Sequence, residues 1–192
     1  MPLHTELWFP SVVWSGVIHW PDNTELTNFA YKKQSTDPGR KISNSGGWQS
    51  KDIQSGECKF IDLFVSNLNQ EIYTCAKQVG LPPLQIYNIW ININPPRAYN
   101  KLHDHAGSVL SGVYYVDASD NQGNLQIQRT DNAEYFLPEV PEKITYYTAT
   151  ASNYKAKTGA LYVFPSWLKH SVDTNNSDKD RISISFNYGV TK

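Results

Sequence analysis

Several things are scarce in this sequence, and each shortage closes off a class of function. Sulfur is rare: the 192 residues include one methionine and two cysteines, Cys58 and Cys75. Two cysteines with no partners at metal-ligand spacing build neither a disulfide framework nor a zinc site, and both read as free thiols. An excess of charge of one sign is also missing. Lysine and arginine number 17 against 18 aspartates and glutamates, a net charge of −1. That balance argues against nucleic acid or an anionic membrane surface as the main partner. There is no long apolar run. The stretch from Leu7 to Val17 is broken by Pro10, Ser11, Ser15 and Gly16 and has no basic flank, so it reads as neither a signal peptide nor a membrane span. Internal repeats, heptads and low-complexity tracts are absent as well. The expectation is a cytoplasmic protein with no membrane partner. Its length suits one domain able to bury a sizeable core without a structural metal.

Aromatic residues are plentiful, at 13%. One segment has a helical period: between Phe60 and Val79 the residues Ile61, Phe64, Val65, Leu68, Ile72, Cys75, Ala76 and Val79 recur at three and four, and Gly80 stands where a helix stops. A shorter helix is predicted over Thr24–Lys33, capped by Asn23 or Thr24. After Pro83 the pattern changes to short β-branched and aromatic runs: Ile86–Ile93, Val109–Val116, Leu125–Arg129, Ile144–Thr148, Tyr154–Lys157, Ala160–Phe164, Ser171–Thr174 and Ile182–Tyr188. Such a series predicts a mainly β protein, a sandwich or jelly roll with one or two packing helices in the N-terminal half. Asn121–Asn124 and Asn175–Asp178 are predicted hairpin turns. Two loops stand apart. Ser35–Glu57 is long and rich in Ser, Gly and Asn around a lone Trp48, which predicts a lid or a disordered loop. Asp131–Lys143 contains Pro138 and Pro141, which interrupt strand pairing.

The chemistry-bearing residues cluster in two places. His103 and His105 flank Asp104 just before the Val109 run, and His170 opens a later strand. Residues two apart in an extended segment share a face, so His103 and His105 can present two imidazoles to one ion. His170 from a neighbouring strand would complete a facial triad with open positions, as oxygen-using non-haem Fe(II) requires. Alternatively these are surface imidazoles beside Asp104. The second cluster is the C-terminal strand. Its period of two places Arg181, Ser183, Ser185 and Asn187 on one face and Ile182, Ile184, Phe186 and Tyr188 on the other. If buried, a face with arginine and serine suits a carboxylate, which a guanidinium grips through two parallel hydrogen bonds. If half-exposed, it is an ordinary edge strand with a solvated polar face.

Together, the paired histidines, the distal histidine and the following Arg-x-Ser resemble the signature of Fe(II)- and 2-oxoglutarate-dependent oxygenases with a double-stranded β-helix core, from about Gln85 to the C-terminus. More narrowly, Ser43-Asn44-Ser45-Gly46-Gly47-Trp48, His103-Asp104-His105, Ser111-Gly112-Val113-Tyr114-Tyr115 and Phe164-Pro165-Ser166-Trp167-Leu168-Lys169-His170 are similar to a branch of such oxygenases found in marine bacteria and cyanophages. The resemblance implies a single oxygenase domain spanning 1–192, with a helical and loop extension over 1–84 and the core over 85–192. It implies that His103 and His170 bind Fe(II), that Arg181 and Ser183 hold the distal carboxylate of 2-oxoglutarate, that Tyr115 adds to that grip, and that Asn94 or Asn92 reaches the other end. Where the superfamily pattern has Asp or Glu this chain has His105, with Asp104 as the competing ligand. The implied reaction consumes dioxygen and 2-oxoglutarate, releases succinate and CO2, and hydroxylates a C–H bond of an amino-acid, peptide or other small substrate. For a phage-encoded protein the location is the host cytoplasm. Trp48 and Arg40 are the candidate substrate-binding residues, with Tyr99 and Tyr154 behind them. Two alternatives stand beside this reading. One is a three-histidine, cupin-like dioxygenase that does not use 2-oxoglutarate. The other is a non-catalytic jelly-roll binding module.

Overall fold

The computed structural model describes residues 3–137 and 141–190, so Pro138 lies outside the described residues. In chain order the elements are β1 (Trp14–Val17), α1 (Asn23–Thr36), β2 (Asn44–Ser45), β3 (Trp48–Gln49), α2 (Lys59–Gln78), β4 (Gln85–Asn94), β5 (Tyr99–His103), β6 (Leu110–Asp117), β7 (Asn124–Gln128), β8 (Ala151–Lys155), β9 (Ala160–Pro165), β10 (His170–Val172) and β11 (Arg181–Gly189). No described helix is long and apolar enough to cross a membrane.

Helix α2 follows the period read from the sequence, burying Ile61, Phe64, Leu68, Ile72, Cys75 and Ala76. Gly80 stops it at φ 73°. The Leu81 N–H donates to the Ala76 carbonyl at 2.9 Å and the Gly80 N–H to that of Lys77 at 3.2 Å, the paired bonds of a Schellman end. Helix α1 begins one residue before the predicted span and runs three beyond it. Its N-cap is Asp22, which makes no side-chain capping bond. Asn23 is used elsewhere, accepting the Tyr114 hydroxyl at 2.9 Å.

The strands form two sheets, one ordered β1-β9-β6-β11-β4-β3 and the other β2-β5-β10-β7-β8. They face each other as a double-stranded β-helix, with the helices laid on the outside of the first sheet. Alternation explains this layering. Ile89, Ile91 and Ile93 of β4, Tyr114 and Val116 of β6, and Ile182, Ile184, Phe186 and Tyr188 of β11 join the core beneath α1 and α2. Burying each large aliphatic side chain there contributes roughly 1.5–3 kcal/mol. The opposite faces of β6 and β9 enclose a second core between the sheets, with Val113, Tyr115, Tyr162 and Phe164 meeting Leu125, Ile127 and Leu168.

Several local expectations change. Ile144–Thr148 is a turn in which the Thr145 and Thr148 hydroxyls accept backbone N–H groups. Hydroxyl-to-backbone bonds here displace the ladder that β-branched residues suggest. Asn121–Asn124 and Asn175–Asp178 are not hairpins, because each carries the chain from one sheet to the other. The Ser35–Glu57 loop is neither disordered nor free. It supplies β2 to the edge of one sheet and β3 to the edge of the other, and Arg40 bridges to Gln49.

Candidate active site

Three strands of the first sheet turn a polar face inward. Strand β11 lies between β4 and β6, so it is central, and both of its faces are buried. The solvated-edge alternative for Arg181 therefore falls. Register fixes which residues meet: Arg181 pairs with Asn94, and Ser183 pairs with Asn92 on one side and Tyr115 on the other. The four residues expected to hold the cosubstrate, Arg181, Ser183, Tyr115 and Asn94, thus belong to one patch of sheet, together with Asn92. They line a cleft that also contains all three histidines, with the few convergent polar groups that mark a small-molecule site.

The histidines gather at one end of the second sheet. His170 opens β10 directly opposite His103, the last residue of β5. His105 sits on the turn that follows, held by its own N–H to the Ser166 carbonyl at 3.0 Å. The Ser166 hydroxyl meets that of Ser111 at 2.7 Å, so the Ser-Gly-Val-Tyr-Tyr and Phe-Pro-Ser-Trp motifs together anchor the His105 turn. The three imidazoles offer ligand atoms within 4.8 Å of one another. Asp104 is exposed and outside this group.

Tautomers follow from the partners. His103 Nδ1 lies 2.7 Å from the Lys101 carbonyl and His170 Nδ1 lies 2.9 Å from that of Leu168. A carbonyl only accepts, so both protons sit on Nδ1 and both Nε2 lone pairs point inward, the usual outer-sphere orientation of metal-binding histidine. The ring of His105 packs on Trp90 at 5.6 Å, and that of His170 on Phe164 at 4.7 Å. Burial pushes His105 down to about 4 and His170 down to about 3, helped by the neighbouring imidazoles, and it lowers His103 too. All three rings are therefore neutral at pH 7, the state a metal ion needs.

The opposite wall carries unmet hydrogen-bonding capacity. Among the described residues four buried side-chain atoms lack a partner, and three of them are in this cleft: Arg181 Nη2, the Tyr115 hydroxyl and Asn92 Oδ1. Native interiors rarely leave such atoms unpaired. The other Arg181 nitrogen, Nη1, is tied to the Gln122 and Asp173 carbonyls. The guanidinium is thus clamped at one end and open at the other. Gly123 makes that clamp possible: at φ 85° a Cβ would stand 2.3 Å from the Asp173 oxygen and 2.9 Å from Arg181 Nη1. Burial lowers the Arg181 pKa and pushes Tyr115 up to about 12. Arginine stays charged regardless, and a neutral phenol remains a donor. Turning the Asn92 amide over keeps its 3.0 Å bond with Ser185, now donated by the hydroxyl, and presents an N–H to the cleft. The open edge of a guanidinium, a phenol donor and a reversible amide fit a carboxylate, and three neutral imidazoles fit a divalent metal.

The expected substrate residues lie elsewhere. Arg40 is engaged outside the cleft, with Nη2 on Asp52 at 2.6 Å and Nε on the Ser50 carbonyl at 3.0 Å. Trp48 packs against the core under the helices and donates to the Asp37 carbonyl at 3.0 Å. Strand alternation turns its ring away from the cleft. Tyr99 and Tyr154 are also absent from the lining, which instead includes Ser43, Trp90, Asn100 and Phe164. Of these, Trp90 carried a readable signal. Trp90, Asn92 and Asn94 alternate with Ile89, Ile91 and Ile93, as on the C-terminal strand.

A family model described as "Putative 2OG-Fe(II) oxygenase" matches residues 88–187, more than half of the chain. Among solved structures, a Pseudomonas putida prolyl-4-hydroxylase is 14% identical with a TM-score of 0.68, covering 94% of this chain and 93% of that one. The viral collagen prolyl hydroxylase of Paramecium Bursaria Chlorella virus-1, solved as its 2-oxoglutarate complex, is 15% identical with a TM-score of 0.61, covering 93% and 96%. A Trichoplax adhaerens prolyl hydroxylase, solved with a peptide fragment of the hypoxia inducible factor oxygen degradation domain, is 15% identical with a TM-score of 0.68, covering 93% and 83%. At these identities the structural likeness speaks for the fold. Comparison with curated proteins returned no match.

Proposed function

The chain belongs to the 2OG-Fe(II) oxygenase family, an enzyme family that uses Fe(II) and 2-oxoglutarate, and on that premise we propose which residues hold each and what is oxidised. His103, His105 and His170 are the iron ligands. Arg181 binds the distal carboxylate of 2-oxoglutarate, with Ser183, Tyr115 and Asn92 around it and Asn94 beside it. The observation that carries this reading is the buried, unpartnered Arg181 Nη2 in the same cleft as the three converging imidazoles. Bound iron and cosubstrate supply oxygen activation, with 2-oxoglutarate going to succinate and CO2. The chain's own part is to fix the ligand rings through the Lys101 and Leu168 carbonyls, to orient the cosubstrate by its far carboxylate, and to wall the site with Trp90 and Phe164 against water. The outcome is hydroxylation of a C–H bond in an amino-acid, peptide or other small substrate. A peptide was solved with the Trichoplax enzyme. The whole chain works as one domain, since β1, β2 and β3 from 1–84 complete sheets built by 85–192.

A three-histidine dioxygenase that ignores 2-oxoglutarate is favoured by one observation, the imidazole at position 105. It leaves the open end of Arg181 unexplained. The two separate in a succinate-release assay over a panel of amino acids and peptides, with iron and 2-oxoglutarate supplied. Arg181→Lys keeps the charge and loses the planar fork, so 2-oxoglutarate affinity drops by about 1–3 kcal/mol while iron stays bound. Oxygen consumption that is independent of 2-oxoglutarate moves the three-histidine dioxygenase to first place.

A further inference from the structure

The charges around the cleft do not balance. Each imidazole is neutral when its lone pair binds a metal, and no Asp or Glu lines the cleft among the described residues. The carboxylates that act on these groups are Asp104, on His103 and His105, and Asp173, on Arg181. Both are exposed, where water and salt screen them. A divalent ion and the Arg181 guanidinium against a doubly charged 2-oxoglutarate leave one positive charge over. A carboxylate in place of His105 would cancel it. The aromatic walls, Trp90 on His105 and Phe164 on His170, raise its weight by keeping the surroundings weakly polarisable.

A second feature of the same cleft offers a hydrogen to an anion. Asn94 Nδ2 donates to Asn100 Oδ1 at 3.2 Å, and Asn100 Nδ2 donates to the Ser43 hydroxyl at 3.2 Å. All three residues are buried and line the cleft. Every bond in this relay points the same way, so each polarises the next, and it ends on the Ser43 hydroxyl proton. Ser43 is held in place by its own carbonyl, which accepts the Lys101 N–H at 2.9 Å. This ties it to β5, two residues before His103. Ser43 opens the Ser-Asn-Ser-Gly-Gly-Trp motif, and nothing in metal or 2-oxoglutarate binding requires its hydroxyl.

We propose that the cleft takes a monoanion as a third occupant beside the metal and 2-oxoglutarate, with Ser43 as one of its donors. The anion is either a group on the substrate, which is then an organic monoanion, or a small free ion bound alongside it. This rests on the 2-oxoglutarate oxygenase reading for its charge balance.

The test loads the protein with Co(II) and 2-oxoglutarate and follows the visible absorption of cobalt while azide, acetate or hexanoate is titrated. Wild type is expected to bind at least one of them tenfold or more tightly than His105→Asp. Ser43→Ala is expected to weaken that binding several-fold with Co(II) affinity unchanged. Binding of azide alone assigns a free ion, whereas hexanoate binding more tightly than acetate assigns an organic anion. Equal affinities in wild type and His105→Asp, or no anion binding in wild type, overturn the proposal. Should His105→Asp fail to fold, an unchanged affinity in Ser43→Ala overturns it. If the protein binds Co(II) but not 2-oxoglutarate, the oxygenase reading fails by itself, and the positive charge left on the site then demands still tighter anion binding.

Discussion

Tyr115→Phe should raise the stability of the metal-free protein while weakening its hold on 2-oxoglutarate, and the opposite signs make it a sharp test. The Tyr115 side chain is 1% exposed and its hydroxyl has no partner. An unpaired buried hydroxyl costs about 1–3 kcal/mol in desolvation. Removing one oxygen leaves a small void that returns part of this, so the variant gains on the order of 1 kcal/mol. For a chain of this length that raises Tm by roughly 2–4 °C. With 2-oxoglutarate present the arithmetic reverses. The phenol, pushed up to about 12 by burial, is a neutral donor facing a carboxylate, and a hydrogen bond to a charged group contributes about 1.5–3 kcal/mol. Its loss weakens binding roughly 10- to 150-fold. Thermal melts of the metal-free proteins and calorimetry of 2-oxoglutarate on the Mn(II)-loaded proteins under nitrogen give the two numbers. A variant that loses stability and keeps its 2-oxoglutarate affinity would refute the assignment, because the hydroxyl would then serve the fold alone.

Acid should destabilise the metal-free protein. The folded pKa values of His105 and His170 lie below the unfolded value near 6.5, so the unfolded chain binds more protons as pH falls. The stabilising contribution is full above pH 6.5 and declines toward pH 4 for His105 and toward pH 3 for His170, with each of the two losing about 2 kcal/mol by pH 5. Chemical denaturation from pH 8 to 5 measures it, and a flat profile contradicts the burial argument. His103→Ala, His105→Ala or His170→Ala should each abolish stoichiometric iron binding, whereas Asp104→Asn should leave it intact; metal analysis of untagged protein decides, and the reverse result makes Asp104 the ligand. Trp48→Ala should cost about 3 kcal/mol in stability with succinate formation retained per folded molecule, since the ring packs into the core; a stable variant with uncoupled turnover would restore the lid. Gly123→Ala should impair 2-oxoglutarate binding at least tenfold, because the added methyl collides with the Asp173 carbonyl beside Arg181; unchanged affinity would show that the clamp on Nη1 is dispensable.

The parts of this molecule legible in the sequence were those governed by local period. The α2 stripe and the long central strands follow from spacing alone. The alternation of Arg181, Ser183, Ser185 and Asn187 with an apolar face was legible as well, but it fitted a solvated edge strand equally, and only the place of β11 between β4 and β6 decides that both faces are buried. What depended on distant pairing was not legible. Strands β2 and β3 are two residues each and exist only because β5 and β4 offer ladder positions to them. Strand β5, Tyr-Asn-Lys-Leu-His, has no apolar alternation, since it is held by its neighbours and not by a buried face. Trp48 and Arg40 illustrate the same limit. A lone aromatic or cation in a polar loop reads as functional until its partners, the core under the helices and Asp52, are known.

The facing of His103 and His170 has a consequence for when the proposed metal site can form. Strand β10 is three residues long and sits between β5 and β7, with an irregularity in its β5 ladder just beyond His170. Side chains alternate along a strand, so a slip of one residue in this ladder would turn His170 away from the cleft. The two imidazoles therefore meet only when strands far apart in the chain have found their correct partners, a non-local pairing of the kind that slows β-rich folding. With His103, His105 and His170 as the proposed ligands, iron would not be held by all three rings in a half-built barrel. On the proposed ligand set, metal held by all three rings would report that the barrel has closed in register.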